Sequence, residues 1–158
     1  MDVYSNKDSE QYTEESSIKN EKELDMYGYH KLLAENYVMN KAKNYLIFRL
    51  PSLVGRGLKK NQVYDFMHDH KKVMVSPLST FNFINTDHIT KSIMKILKED
   101  ITNDIFNLAS KNSIQIKDIK KIISFDSEYI DDAKNFLFNY KINTQKIAKY
   151  VELTTSEN

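Results

Sequence analysis

Cysteine is absent from the 158 residues, which removes disulfides, thiolate metal sites and cysteine nucleophiles together. Glycine is almost absent: Gly28, Gly55 and Gly57 are all the chain has. None of them forms a G-x-x-G-x-x-G turn between a strand and a helix, the arrangement that lets backbone amides approach a pyrophosphate. No acidic residue stands where a dinucleotide site holds its adenosine ribose. No apolar run approaches the ~18 residues of a membrane span. Charge of one sign is missing too: 23 Lys and Arg are interleaved with 22 Asp and Glu, for a net charge of +1. That excludes a nucleic-acid stripe and an acidic tail. The acidic, polar N-terminus is unlike a signal peptide. These absences predict a soluble cytoplasmic protein with neither nucleic acid nor membrane as partner.

The residues present describe a globular chain. Apolar content is 41% with 11% aromatic, enough for one domain with a core. Residues 5–23 are polar and charged and predict a solvated surface loop; ahead of them, Val3-Tyr4 reads as the end of a strand. From Met26 to Lys43 the pattern is helical, with Tyr29, Leu33 and Tyr37 on one face. Tyr45 to Leu50 (YLIFRL) is a short apolar run, as expected of a parallel strand covered on both faces, and Pro51 and Gly55 end it in a loop.

A short helix is expected from Asn61 to His70, and strands at 73–75, 81–84 and 105–109. Thr86-Asp87 offers an N-cap for a helix with Ile89, Ile93, Ile96 and Leu97 at core spacing. Further helices are expected at 116–123 and 144–153. Strands alternating with helices make the fold class α/β.

One stretch carries chemistry. Tyr27-Gly28-Tyr29-His30-Lys31, running on to Glu35, sets a phenol and an ammonium at i and i+4 of a helix, on one face. A free tyrosine, with a pKa of about 10, is mostly protonated at neutral pH. A fixed cation beside it favours the phenolate and suits it to general acid/base work. The spacing occurs twice, since Tyr37 and Lys41 repeat it, and the second pair reads as ordinary helix surface. His68-Asp69-His70 invites a metal reading, but a two-residue separation on a helix points the imidazoles about 200° apart, so no metal site is assigned. His88 reads as a polar residue in a helix's first turn. Lys59-Lys60 and Lys71-Lys72 read as solvated surface, with a sugar-nucleotide diphosphate as the alternative.

Around the first Tyr-x-x-x-Lys pair stand further segments in order: RLPSLVG at 49–55, FINTDHI at 83–89 and IFNLA at 105–109. Together with YGYHKLLAE they resemble the extended short-chain dehydrogenase/reductase family, the NAD-dependent sugar-nucleotide epimerases and dehydratases, from roughly Asp2 to Glu152. The resemblance implies the C-terminal part of a doubly wound, Rossmann-like parallel sheet plus the small substrate-binding lobe. Residues 1–158 would form a single partial domain, with 26–55 the catalytic helix and following strand and 56–158 mostly substrate lobe and last core strand.

The resemblance also implies roles. Tyr27 matches the catalytic tyrosine, and Lys31 the lysine that binds the nicotinamide ribose and acts on the tyrosine. Pro51 and Ser52 fall where family members line the nicotinamide end of NAD or NADP, although many relatives have Asn at the position of Ser52. Glu35 matches a recurrent acid of structural role. The family's substrate-holding serine or threonine would fall at or immediately before Met1 and is not in this chain. A nucleotide-sugar substrate is implied, with either a partner chain supplying the N-terminal half or a homo-oligomer. Three readings stay open on sequence: a segment of a truncated or split enzyme, a non-enzymatic remnant binding a sugar nucleotide or partner, and an unrelated α/β protein.

Overall fold

The computed structural model of the protein describes residues 1–16, 21–68, 73–123, 128–129 and 135–157. Helix α1 (Met26–Lys41) leads to strand β1 (Leu46–Arg49), then directly to β2 (Ser52–Val54), helix α2 (Gln62–Met67), β3 (Thr80–Phe81) and β4 (Phe83–Asn85). Helix α3 (Thr86–Ile96), β5 (Asp104–Asn107), β6 (Ile114–Gln115) and α4 (Ile116–Ile122) follow. β1 pairs with β5 and β2 with β4, both parallel, while β3 and β6 are antiparallel. The expected α/β class therefore holds. No helix among the described residues is long and apolar enough to cross a membrane.

The β1–β5 pair follows from α3. The helix starts where β4 stops and returns the chain to β5, which lies beside β1 with Phe48 opposite Phe106 and Arg49 opposite Asn107. Ile89 and Ile96 of α3 are buried with Ile84, Phe106, Leu108 and Ile147 in one core. Leu97, expected in that core, is exposed because the helix ends at Ile96 and Leu97 caps it. The N-cap is Asn85, whose side chain accepts from the amide of Asp87, one residue earlier than the Thr86-Asp87 expectation.

A second core joins α2, α4 and strands β3, β4 and β6 through Val63, Phe66, Phe81, Phe83 and Ile116. Phe81 and Phe83, two residues apart and so on one face, are both buried, and Asn82 between them is buried as well although alternation turns it the other way. Its amide donates to the carbonyl oxygens of Ser110 and Asn112, so the polar group is satisfied. This bond splits the expected 81–84 strand into β3 and β4.

Other expectations shift. Ser52 to Val54 is a strand, not loop, because β4 gives it a parallel partner. Val3-Tyr4 is a buried turn closed by the Tyr4 amide on the Met1 carbonyl, not a strand end. Residues 144–153 contain only a short 3-10 turn, Ile147–Lys149. Val73 makes a single bridge to Tyr129 in place of a strand. The 5–23 segment is not wholly solvated: Thr13 is fully buried, its hydroxyl donating to the Lys141 carbonyl and accepting from the Asn143 amide.

Helix α1 starts at Met26 as expected and ends at Lys41, two residues short of the expected Lys43, with a different face inward. Gly28, Leu32 and Glu35 are buried, whereas Leu33 and Tyr37 are exposed and Tyr29 only half-buried. Asp25 caps the helix by accepting from the Gly28 amide at 2.7 Å. A Cβ on Gly28 would collide with the carbonyl oxygen of Asp2, so the N-terminal segment lies directly on the helix backbone. Gly28→Ala, normally favourable inside a helix, is therefore expected to destabilise the protein by about 1–3 kcal/mol, the usual range for overpacking. Urea unfolding checks it; a gain in stability would mean the N-terminal segment does not pack on α1.

Candidate functional site

A cavity of about 970 Å³ opens between the N-terminal segment, α1, the ends of β1 and β2, and the loop 55–61. Tyr27 and Lys31 line it from α1, and Pro51 and Ser52 from the β1–β2 connection. All four residues singled out in the sequence thus border one space. Tyr27 is 56% exposed, and the Lys31 ammonium lies 5.2 Å from the centre of its ring. The repeated pair does not share the cavity: Tyr37 is 67% exposed and neither it nor Lys41 is part of the lining.

The wall beneath α1 is held by a buried polar network. Arg49, the charge inside the apolar run of β1, donates from Nε to Glu35 Oε1 at 3.0 Å and from Nη2 to Oε2 at 2.7 Å. The pair is nearly sealed, with side-chain exposures of 4% and 10%. Arg49 Nη1 also donates to the Tyr4 hydroxyl at 2.7 Å, and that hydroxyl donates to Asn107 Oδ1 at 2.8 Å. Asn107 donates to the carbonyls of Thr13 and Asn143. The network ties α1, β1, β5 and the N-terminal segment together behind the cavity. Burial works against the Arg49 charge, but the hydrogen bonds it donates to Glu35 and Tyr4, with their electrostatic attraction, outweigh it and hold the guanidinium pKa above its ordinary value.

Burial pushes the Tyr4 phenol up to about 12, against the opposing pull of Arg49 and Asn107. A pKa raised in the folded state means that the folded chain holds this proton more tightly than the unfolded one. The contribution is complete below pH ~10, the unfolded value, and is lost as pH rises towards ~12. It amounts to something on the order of 2 kcal/mol. Denaturation series between neutral pH and pH ~11.5 should show alkaline destabilisation that is smaller in Tyr4→Phe. Parallel curves would remove Tyr4 as its source.

Sequence reasoning assigned Glu35 a structural role but missed its partner, and missed Tyr4 and Asn107 altogether. The available signal was Arg49 itself: a charge inside a buried strand demands a buried counter-charge. His88 lies in the first turn of α3, as expected. His68 follows α2, while Asp69, His70, Lys71 and Lys72 lie outside the described residues. No group of metal-binding side chains occurs among the described residues.

The cofactor fit is uneven. Tyr27, Lys31, Pro51 and Ser52 border one cavity. Gly28 is inside a helix and packed on Asp2, and Gly55 and Gly57 belong to the cavity-lining loop, so the glycines build no dinucleotide phosphate turn.

No family model and no curated protein matches the chain. Solved structures do. A UDP-galactose 4-epimerase superposes with a TM-score of 0.75 at 18% identity, over 99% of this chain and 57% of its own. RMD from Pseudomonas aeruginosa, complexed with NADPH, gives 0.74 at 14% identity over 98% of this chain and 58% of its own. A variant of UDP-glucuronic acid 4-epimerase from Bacillus cereus, in complex with UDP-4-deoxy-4-fluoro-glucuronic acid and NAD, gives 0.70 at 19% identity over 99% and 55%. The chain therefore has the fold of the C-terminal portion of these Rossmann-like proteins and spans a little over half their length.

Proposed function

We propose that this chain carries the acid/base and substrate-facing half of an NAD(P)-dependent epimerase, dehydratase or reductase acting on a nucleotide sugar. The observation that carries the proposal is the convergence of Tyr27, Lys31, Pro51 and Ser52 on one cavity, in a fold like that of structures solved with NAD(P) and UDP-sugars. Bound there, a nicotinamide would supply the hydride acceptor for oxidation and, reduced, the hydride donor for reduction. In this reading the Tyr27 hydroxyl takes the proton from, or returns it to, a sugar hydroxyl. The Lys31 ammonium would donate to the ribose hydroxyls and offer its charge to the tyrosine oxygen while the proton is away. Pro51 and Ser52 would flank the ring, and the Arg49–Glu35 pair ties α1, which carries Tyr27 and Lys31, to β1.

A second reading, a nucleotide-sugar- or partner-binding module without turnover, draws its support from the missing phosphate turn. Both readings place the ligand in the same cavity. Two-dimensional NMR titration with a UDP-sugar should move the signals of Tyr27, Lys31 and Ser52 before those of the exposed Phe136–Phe138 patch. Shifts confined to that patch would sink the proposal. Calorimetry with NAD is expected to give binding no tighter than about millimolar, because dinucleotide affinity comes mainly from pyrophosphate and adenosine contacts that these residues do not make. Micromolar binding would place the cofactor grip elsewhere on the chain.

A further inference from the structure

The stretch Asn135-Phe136-Leu137-Phe138-Asn139 reads the same in both directions. It lies along the edge of β3 opposite β6, with Asn139 in a parallel bridge to Thr80. The carbonyls of Phe136 and Phe138 accept from the amides of Ser76 and Thr80, and the amides of Phe138 and Tyr140 donate to the Ser79 hydroxyl and the Thr80 carbonyl. Every second residue is thus bonded inward. Leu137 and Asn139 alternate with these, so their N–H and C=O groups point away from β3. Those backbone groups have no hydrogen-bond partner among the described residues.

The segment is also bare. Phe136, Leu137 and Phe138 are between 40% and 53% exposed, and Met74 and Leu78, on the adjoining stretch 73–80, are exposed as well. Side chains of an extended segment alternate, so both faces of this edge are apolar and open. An edge of this kind is normally blunted by a charge, a proline or a bulge. Residues 135–140 hold no charged residue and no proline. Partly exposed side chains of this size present roughly 100 Å² each. The five together offer about 500 Å² per copy and on the order of 1,000 Å² for a pair, the size at which a specific interface begins.

We infer that this edge is a self-pairing surface, at which two copies of the chain join antiparallel about a two-fold axis through Leu137. The palindrome then sets Leu137 opposite Leu137 of the second copy, Phe136 opposite Phe138, and Asn135 opposite Asn139. Leu137 exchanges both of its outward backbone bonds with its counterpart, and the two β6–β3 sheets become one. A copy of the same segment matches every position, which a strand of unrelated sequence does not. The contact uses the open edge of each copy, so assembly closes at two and does not run on into a fibre. The inference is independent of the ligand assigned to the cavity.

Light scattering of the whole chain from micromolar to millimolar concentration should show a monomer giving way to a dimer and to nothing larger. Leu137→Lys and Leu137→Glu each set like charges directly across the axis and should weaken the dimer by roughly tenfold or more. Neither removes an inward backbone bond, and thermal melts confirm that both fold. Mixed in equal amounts, the two variants should recover the dimer, because opposite charges then face one another. A role confined to the fold of one copy would not be rescued by mixing. The chain has no cysteine, so with diamide as oxidant Leu137→Cys should link two copies faster than Asn139→Cys, whose counterpart lies about 13 Å along the pair. A monomer at every concentration, assemblies that grow past two, a mixture no tighter than its components, or equal rates of disulfide linkage would each overturn the inference. So would association that persists in Leu137→Lys but is lost in Tyr37→Lys, which would put the contact on the exposed face of α1.

Discussion

Tyr27→Phe is expected to lower turnover by about 10²–10⁴-fold, the usual range for a general acid/base step, once the chain works with a glycine-rich nucleotide-binding half supplied by fusion or co-expression. The substitution removes a transferable proton and little else, because the ring is largely exposed and makes few packing contacts to lose. Cofactor and substrate affinities should therefore change much less than kcat. Lys31→Ala should damage both, since in the proposed function one ammonium serves the ribose and the tyrosine. The internal control is Tyr37→Phe, the same chemical change at the same helical spacing but away from the cavity. It should be nearly silent. Equal effects at Tyr27 and Tyr37 would end the assignment of Tyr27 as catalytic.

Arg49→Met is expected to destabilise the chain by about 3–5 kcal/mol, because it strands the Glu35 carboxylate in the interior. Against a typical total of about 5–15 kcal/mol, that approaches unfolding. The informative comparison is the double variant Arg49→Met, Glu35→Leu, in which both charges leave together. It should recover most of the loss, although the Tyr4 hydroxyl then loses the guanidinium that donates to it. Urea unfolding with coincident fluorescence and circular dichroism transitions measures both. A loss below about 1 kcal/mol in Arg49→Met would mean that the pair does not hold α1 on the sheet.

The two halves of the candidate site were legible to different degrees. Tyr27 and Lys31 could be read from their spacing and their neighbours, because a helix repeats every 3.6 residues whatever it packs against. Which face of that helix turns inward could not. Apolar counting favoured Tyr29, Leu33 and Tyr37, yet the buried face is Gly28, Leu32 and Glu35. A close backbone approach to Asp2 and an ion pair with Arg49, both made by residues distant in sequence, outweigh the greasier stripe. Similarly, Lys59 and Lys60 read locally as solvated surface, and only the folded loop shows that they border the same cavity as Lys31.

By itself the sequence determined what is local: the absence of a dinucleotide phosphate turn, the extent of α1, the two apolar runs that become β1 and β5, and the pairing of a phenol with an ammonium at one helical turn. Hydrogen bonding along a helix and burial of an apolar run depend on neighbours within a few residues, so these features are written where they act. The tertiary structure decided everything that joins distant segments. Leu46 meets Asp104 only because α3 carries the chain back, and Ser52 becomes a strand residue only because β4 arrives beside it. Arg49, buried at the end of β1, has no local partner of opposite charge. The cost of burying it selects Glu35, fourteen positions earlier, and with that choice the face of α1 is set and Tyr27 comes to border the cavity.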